Sequence, residues 1–356
     1  MKNNYVRNEI QFPHSPDVIE RDTADNGFSK GWGMNFIPIE KYWIDCHNHI
    51  QFDDEVNVKS SMMKGIEKLK AVNVRHLISC TPIMITKTEM ESGHDFLLKC
   101  LYGIDMLLPY LVASKESKNF SLLMYMAHTN PDVELLEEAY KHGLCGVKLH
   151  NAPIIYDNLD PELWLSKEWD RFFQHVERLN LPVLWHVTQR LTDAPYGGVG
   201  RNTYWKEGWE KGTKFTNEDL LQVFLKVVGK YPGIRFIGAH QLHVGWERLS
   251  SLLNEFTNLF TDTSVGCIVR KEDRMYEIDR EYIRQFFIEY NNRILYGTDL
   301  FISDESSISF INSIDAICDV AEPHIRFIKQ LKLPFDVLEK ISHVNAETLF
   351  GLCKNI

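Results

Sequence analysis

Eight short apolar runs, most ending in a polar or chemically reactive side chain and most separated by an amphipathic helical pattern, constrain this chain more than any other feature. They lie at 44–49, 74–80, 121–126, 146–150, 182–186, 234–240, 259–263 and 294–299. All are of strand length and rich in β-branched or bulky apolar residues. Between them, apolar residues recur at i, i+3 and i+4 over 62–71, 133–142, 169–180, 217–230, 246–256 and 282–290, the spacing of a helix with one buried face. Strands and helices alternating in this way pair in parallel, and eight such units in 356 residues suit a closed α/β barrel, the (β/α)8 TIM barrel. An open doubly wound sheet is the rival architecture. It fits less well, because no glycine-rich turn follows the first run and the polar ends are spread over several strands rather than gathered at one switch point. The barrel is expected over 43–356. Residues 1–42, with Phe28, Trp32 and Phe36, read as an N-terminal arm that covers the barrel bottom or reaches a second subunit, leaving a homo-oligomer open.

The run Ile44-Asp45-Cys46-His47-Asn48-His49 ends in two histidines at i, i+2. Side chains alternate along a strand, so Asp45, His47 and His49 are expected on one side and Ile44, Cys46 and Asn48 on the other. Two imidazoles converging at a strand end suit a divalent transition metal. In a barrel of this type the active centre lies at the carboxyl ends of the strands, where distant residues meet. That would gather His47 and His49 from strand one, Lys148 and His150 from strand four, His186 from strand five, His240 from strand six and Asp299 from strand eight. Parity in strand four agrees: Lys148 and His150 share a face opposite Val147 and Leu149, as a polar lumen and an apolar outer surface require.

These pieces resemble the amidohydrolase superfamily, in particular the branch typified by the aminocarboxymuconate semialdehyde decarboxylase family. The resemblance rests on Asp45-Cys46-His47-Asn48-His49, Gly146-Val147-Lys148-Leu149-His150, His186, Gly238-Ala239-His240, Asp262-Thr263-Ser264, Tyr296-Gly297-Thr298-Asp299 and the closing run from Asn345 to Leu352. It implies one divalent metal ion, zinc first and manganese second, held by His47, His49, His186 and Asp299, with His240 acting on water or substrate. Asn151 stands where the family commonly has proline, and Val187-Thr188 where a glycine often follows the strand-five histidine. Those departures leave the implied metal set intact and bear on the substrate.

Three imidazoles and a carboxylate leave a coordination position open, and a metal there can lower the pKa of bound water to about 7. Asp299 would both ligate and accept the water proton, and His240 would exchange a proton with the reacting group. Asp45 is expected to orient or pack rather than ligate. Lys148 reads as an unmodified lysine facing substrate or an acidic neighbour rather than as a carbamylated bridge between two metals, and His150 and His243 as further substrate contacts. The long connection after His186 mixes glycines with Arg190, Tyr196, Arg201 and Trp205, as active-site lids do. Arg190, Arg201 and Arg270 could bind a carboxylate as planar forks, and Tyr196 and Trp205 could cover an apolar or ring-shaped substrate.

A net charge of −10 argues against nucleic acid as a partner, and no apolar run is long enough to span a membrane. Seven cysteines, an odd number without paired CxxC spacing, read as reduced thiols of a cytoplasmic protein. The expected activity is hydrolysis of an amide, lactone or ester in a small carboxylate-bearing molecule. Non-oxidative decarboxylation of an aromatic or unsaturated acid is the alternative, and an inactive ligand-binding barrel a third. The Asp45-x-His47-x-His49 opening leans toward hydrolysis.

Overall fold

The computed structural model describes residues 42–51, 69–80, 120–126, 131–141, 143–152, 154, 159–188, 215–264, 280–303 and 317–352, all within the unit Ile39–Ile356. Residues 1–41 of the proposed N-terminal arm lie outside them. The strands are β1 Trp43–Gln51, β2 Val74–Cys80, β3 Phe120–Tyr125, β4 Gly146–His150, β5 Val183–His186, β6 Phe236–Gly238, β7 Leu259–Asp262, β8 Ile294–Leu295 and β9 Leu300–Ser303. Every pairing is parallel, and the sheet order is β8-β7-β6-β5-β4-β3-β2-β1-β9. The expected eighth strand is therefore broken in two. β8 pairs with β7 and β9 pairs with β1, while the joint between them is tied to β1 by Cys46 N to Tyr296 O (2.9 Å) and Asp299 N to His47 O (2.6 Å). That joint closes the (β/α)8 barrel, and Asp299 turns there with φ 60°.

Two apolar layers follow from strand parity. Val147, Leu149, Val183, Trp185, Phe236 and Leu259 face outward and pack with the helices, whereas Ile44, Ile78, Leu184, Ile237 and Leu295 fill the barrel interior. The helix Lys167–Arg178 buries Trp169, Phe172, Phe173 and Val176 at i, i+3, i+4 and i+7, and Ser166 caps its amino end. Burying side chains of this size is worth about 1.5–3 kcal/mol each. A capping box between Thr216 and Asp219 opens the helix Asn217–Lys230 in the same way, its side-chain cap worth about 1 kcal/mol. At the carboxyl terminus the helix Asn345–Phe350 sends Ala346, Leu349 and Phe350 into the interior cluster and stops at Gly351 in the left-handed region. Asn345 fastens this segment to the sheet by donating to Asn291 O (2.7 Å) and Ile294 O (2.8 Å).

The structure corrects the reading of β1. Asp45 pairs with Leu77 and Asn48 with Ser79, so three steps on β1 match two on β2 and one residue is bulged. Asp45 and Asn48 consequently face the outer side with Leu77, and Asn48 donates to Asp45 O (3.2 Å). His47 and His49 turn into the lumen, and Asp45 does not share their face. The bulge forms where Asp45 Oδ1 accepts from both His47 N and Thr298 N (3.1 Å each) and Oδ2 from Thr298 Oγ1 (2.5 Å), binding β1 to the closing joint. Strand six is also shorter than expected. After Gly238 the chain enters a left-handed turn with φ between 53° and 58° at His240, Gln241, Leu242 and His243. Any larger residue at 238 must displace the buried Leu242 side chain, since a Cβ there would lie 2.5 Å from Leu242 Cδ2. Left-handed turns cost L-residues about 1–2 kcal/mol apiece, so this one needs outside support.

Candidate active site

That support comes from the end of β7. Asp262 Oδ1 accepts from His240 N (2.8 Å), while Gln241 Nε2 donates to Asp262 O (2.6 Å) and Ser264 O (3.2 Å). Thr188 donates its hydroxyl to Leu242 O, and His243 Nδ1 donates to Thr188 O (3.1 Å). The strained turn thereby stacks the His240 and His243 rings, 5.1 Å apart and inclined by 27°.

Asp262 also grips His47. Its Oδ2 lies 2.6 Å from His47 Nδ1, with Ser264 Oγ at 3.2 Å from the same nitrogen. Burial alone would push the Asp262 carboxyl up, but hydrogen bonds from His47, Ser264 and the His240 amide more than offset it and hold Asp262 below the ordinary carboxylate range. Burial and the nearby Lys148 depress His47, so it is neutral, with its proton on Nδ1 toward Asp262 and the Nε2 lone pair directed into the pocket. Gly297 makes this approach possible, because a Cβ there would meet His47 Cβ at 2.9 Å.

Two groups converge on that lone pair. Lys148 Nζ is 2.9 Å from His47 Nε2, and Asp299 Oδ1 is 3.2 Å from it and 3.1 Å from His49 Nε2. Asp299 Oδ2 lies 3.9 Å from His240 Nε2, a buried nitrogen without a hydrogen-bond partner among the described residues. The Asp299 side chain keeps 24% exposure. Its carboxyl is nonetheless raised, because desolvation outweighs the opposing pull of His47 and Lys148. His49, His150, His186 and His240 are all driven well below the ordinary imidazole value, first by burial and then by the positive charge around them. Neutral imidazoles beside a carboxylate are the donor set a divalent cation takes.

His47, His240 and Asp299 bring their ligand atoms within 4.8 Å of one another, as do His47, His49 and Cys80. His186 joins neither group. Its ring lies 4.5 Å from His240 and 4.2 Å from His150, lining the neighbouring wall. His150 Nδ1 accepts from Ala152 N (2.9 Å), and Asn151 accepts from both Trp164 Nε1 (2.9 Å) and Trp185 Nε1 (3.1 Å), which fixes the turn after β4. Arg190, Tyr196, Arg201, Trp205 and Arg270 lie outside the described residues. The sequence reading gave no site role to Asp262, Ser264 or Cys80. Their signal was available: Asp262 and Cys80 end β7 and β2 as His186 ends β5.

A parallel barrel with a buried histidine and aspartate cluster at the carboxyl ends of its strands defines a class of metal-capable enzymes. The amidohydrolase family model, Amidohydro_2, matches residues 44–352, and the chain belongs to that family. No curated protein matches it. Among solved structures, a probable 2-pyrone-4,6-dicarboxylic acid hydrolase from Acinetobacter baumannii with citric acid bound is 16% identical, with TM-score 0.51 over 87% of this chain and 99% of that one. A 5-carboxyvanillate decarboxylase from Novosphingobium aromaticivorans, complexed with manganese and 4-hydroxy-3-methoxy-5-nitrobenzoic acid, is 11% identical, with TM-score 0.52 over 87% and 96%. A 2,6-dihydroxybenzoate decarboxylase from Rhizobium is 15% identical, with TM-score 0.52 over 88% and 99%. At these identities the likeness establishes the barrel fold. No helix among the described residues is long and apolar enough to cross a membrane.

Proposed function

We propose that this chain is a metal-dependent hydrolase that activates water at a mononuclear divalent site to open an amide, lactone or ester of a small carboxylate-bearing substrate. His47, His49, His186 and Asp299 would hold the ion, zinc in preference to manganese. Bound there, a divalent cation supplies Lewis acidity and makes water acidic enough to ionise near neutral pH. The single observation that carries the reading is Asp299. Its carboxylate reaches His47 and His49 at 3.2 and 3.1 Å and faces His240 at 3.9 Å. Such a group takes the proton of an attacking water, and His240 passes a proton to the leaving atom. Lys148, His150 and His243 bind the substrate from the strand-four and strand-six sides, with Arg190, Arg201 or Arg270 on its carboxylate and Tyr196 and Trp205 over its body. The branch resembling the aminocarboxymuconate semialdehyde decarboxylase family remains part of this proposal.

Non-oxidative decarboxylation is the second reading. One observation favours it: Asp299, 3.9 Å from His240 at the strand ends, is also placed to deliver a proton to the carbon that loses carbon dioxide. Asp45 no longer separates the two, because it faces Thr298 rather than the pocket. Metal-loaded protein assayed on a panel of lactones and cyclic amides, and in parallel for carbon dioxide release from aromatic and unsaturated acids, separates them. Ring opening that is lost in Asp299→Asn supports the hydrolase, whereas carbon dioxide release without ring opening replaces it with the decarboxylase. Metal binding without turnover on either panel leaves the ligand-binding barrel.

A further inference from the structure

We propose that the Cys80 sulfur is a ligand of the metal this site holds and that it tunes the site toward zinc. The inference rests on the metal-site reading above and deepens it. Cys80 ends β2 directly across from His49 in the parallel register, so both side chains point into the same stretch of lumen. The sulfur lies within 4.8 Å of ligand nitrogens of His47 and His49, and those nitrogens lie equally close to each other. Donor atoms around one zinc ion, bonded at roughly 2.0–2.3 Å, sit at most about 4.3 Å apart, so the three need only a small closing movement to share an ion.

Cys80 is fully buried, and its sulfur makes no hydrogen bond among the described residues. Both Cys80 and Cys46 border the apolar interior cluster, but the Cys46 thiol donates to Ile44 O (3.7 Å). The adjoining group, which shares His47, contains a buried His240 Nε2 that has no hydrogen-bond partner among the described residues and lies 3.9 Å from Asp299 Oδ2, a second observation that points to a ligand at this cluster. A thiolate is a soft donor. It favours zinc, cobalt or cadmium over manganese and magnesium, which prefer oxygen. Coordination replaces the S–H bond by a sulfur–metal bond, and the proton leaves to solvent with the displaced water.

The test uses the full-length protein stripped with a chelator and reloaded, with metal content measured alongside spectra. Cobalt(II) should give a near-ultraviolet sulfur-to-cobalt charge-transfer band that disappears in Cys80→Ser and survives in Cys145→Ser. X-ray absorption of the zinc form should contain a Zn–S path near about 2.3 Å. The preference for zinc over manganese should drop roughly tenfold or more in Cys80→Ser, the scale on which a metal's immediate surroundings alter affinity. Stoichiometric metal with only nitrogen and oxygen neighbours in the wild type overturns the proposal and leaves the metal site standing. Failure to bind any divalent metal overturns both. The absorption measurement needs no variant, so a misfolded Cys80→Ser would not protect the idea.

Discussion

Lys148 Nζ lies 2.9 Å from His47 Nε2, with both side chains fully shielded from solvent. Asp262 holds the other ring nitrogen of His47, Nδ1, so this lone pair is the one that a metal would use. A metal and the lysine cannot share it. Metal binding must displace the amine, and the cation left nearby opposes the incoming charge. Lys148→Met should therefore bind one zinc ion about tenfold more tightly than wild type, a gain of about 1.4 kcal/mol, measured by competition with a chromophoric chelator. Loss of metal in that variant would instead point to a modified lysine that bridges two ions.

Asp262 sets the tautomer and direction of His47 without facing the open pocket. Asp262→Asn should fold, since an amide can still receive the His240 amide proton. Metal affinity should fall about 10–100-fold, because the amide no longer fixes the Nδ1 proton. Isothermal titration of the stripped protein checks this, and unchanged affinity would remove Asp262 from the orienting role.

Gly297 admits the His47 side chain at a distance no Cβ tolerates. Gly297→Ala should lower stability by about 1–3 kcal/mol through overpacking and weaken metal binding at the same time. Urea unfolding and metal titration on one preparation report both effects. A stability loss with intact metal affinity would mean that the ring adapts.

His324 lies in the helix Ile317–Gln330, fully buried, with neither ring nitrogen hydrogen-bonded among the described residues and its ring 5.1 Å from that of Tyr296. Burial depresses it from 6.5 to about 3. The unfolded chain takes up a proton below pH 6.5 that the folded chain resists. Stability from this group is complete above pH 6.5 and declines by about 1.4 kcal/mol per pH unit as pH falls toward 3. Asp45 works in the opposite direction: burial raises it from 3.8 to about 7, so its protonation stabilises the fold as pH falls through that interval. His324→Leu should remove the histidine slope alone, making urea midpoints at pH 4–6 less acid-sensitive than wild type. Parallel curves for the two proteins would contradict the burial argument.

Much of the barrel was legible because its two periods are strong. Helix Asn217–Lys230 carries its capping box and apolar stripe openly, and Val147 against Lys148 announces which side of β4 faces outward. The bulge in β1 was not legible. It depends on Asp45 finding Thr298, some 250 residues away, and a strict period of two assigns Asp45 to the wrong face. The left-handed turn at His240 escaped for a related reason, since its cost is met by Asp262, Thr188 and Ser264 rather than by local propensity. Asp262 and Cys80 stand at strand ends, but neither shows its neighbours until the barrel closes.

The central claim, one divalent ion gathered by side chains from distant strands, is tested most directly by anomalous diffraction from zinc-loaded crystals together with metal analysis of the same protein. The account predicts one equivalent and one peak in contact with His47, His49, His186 and Asp299. Two peaks bridged by a carbamylated Lys148, or no peak among these residues after soaking, would contradict it.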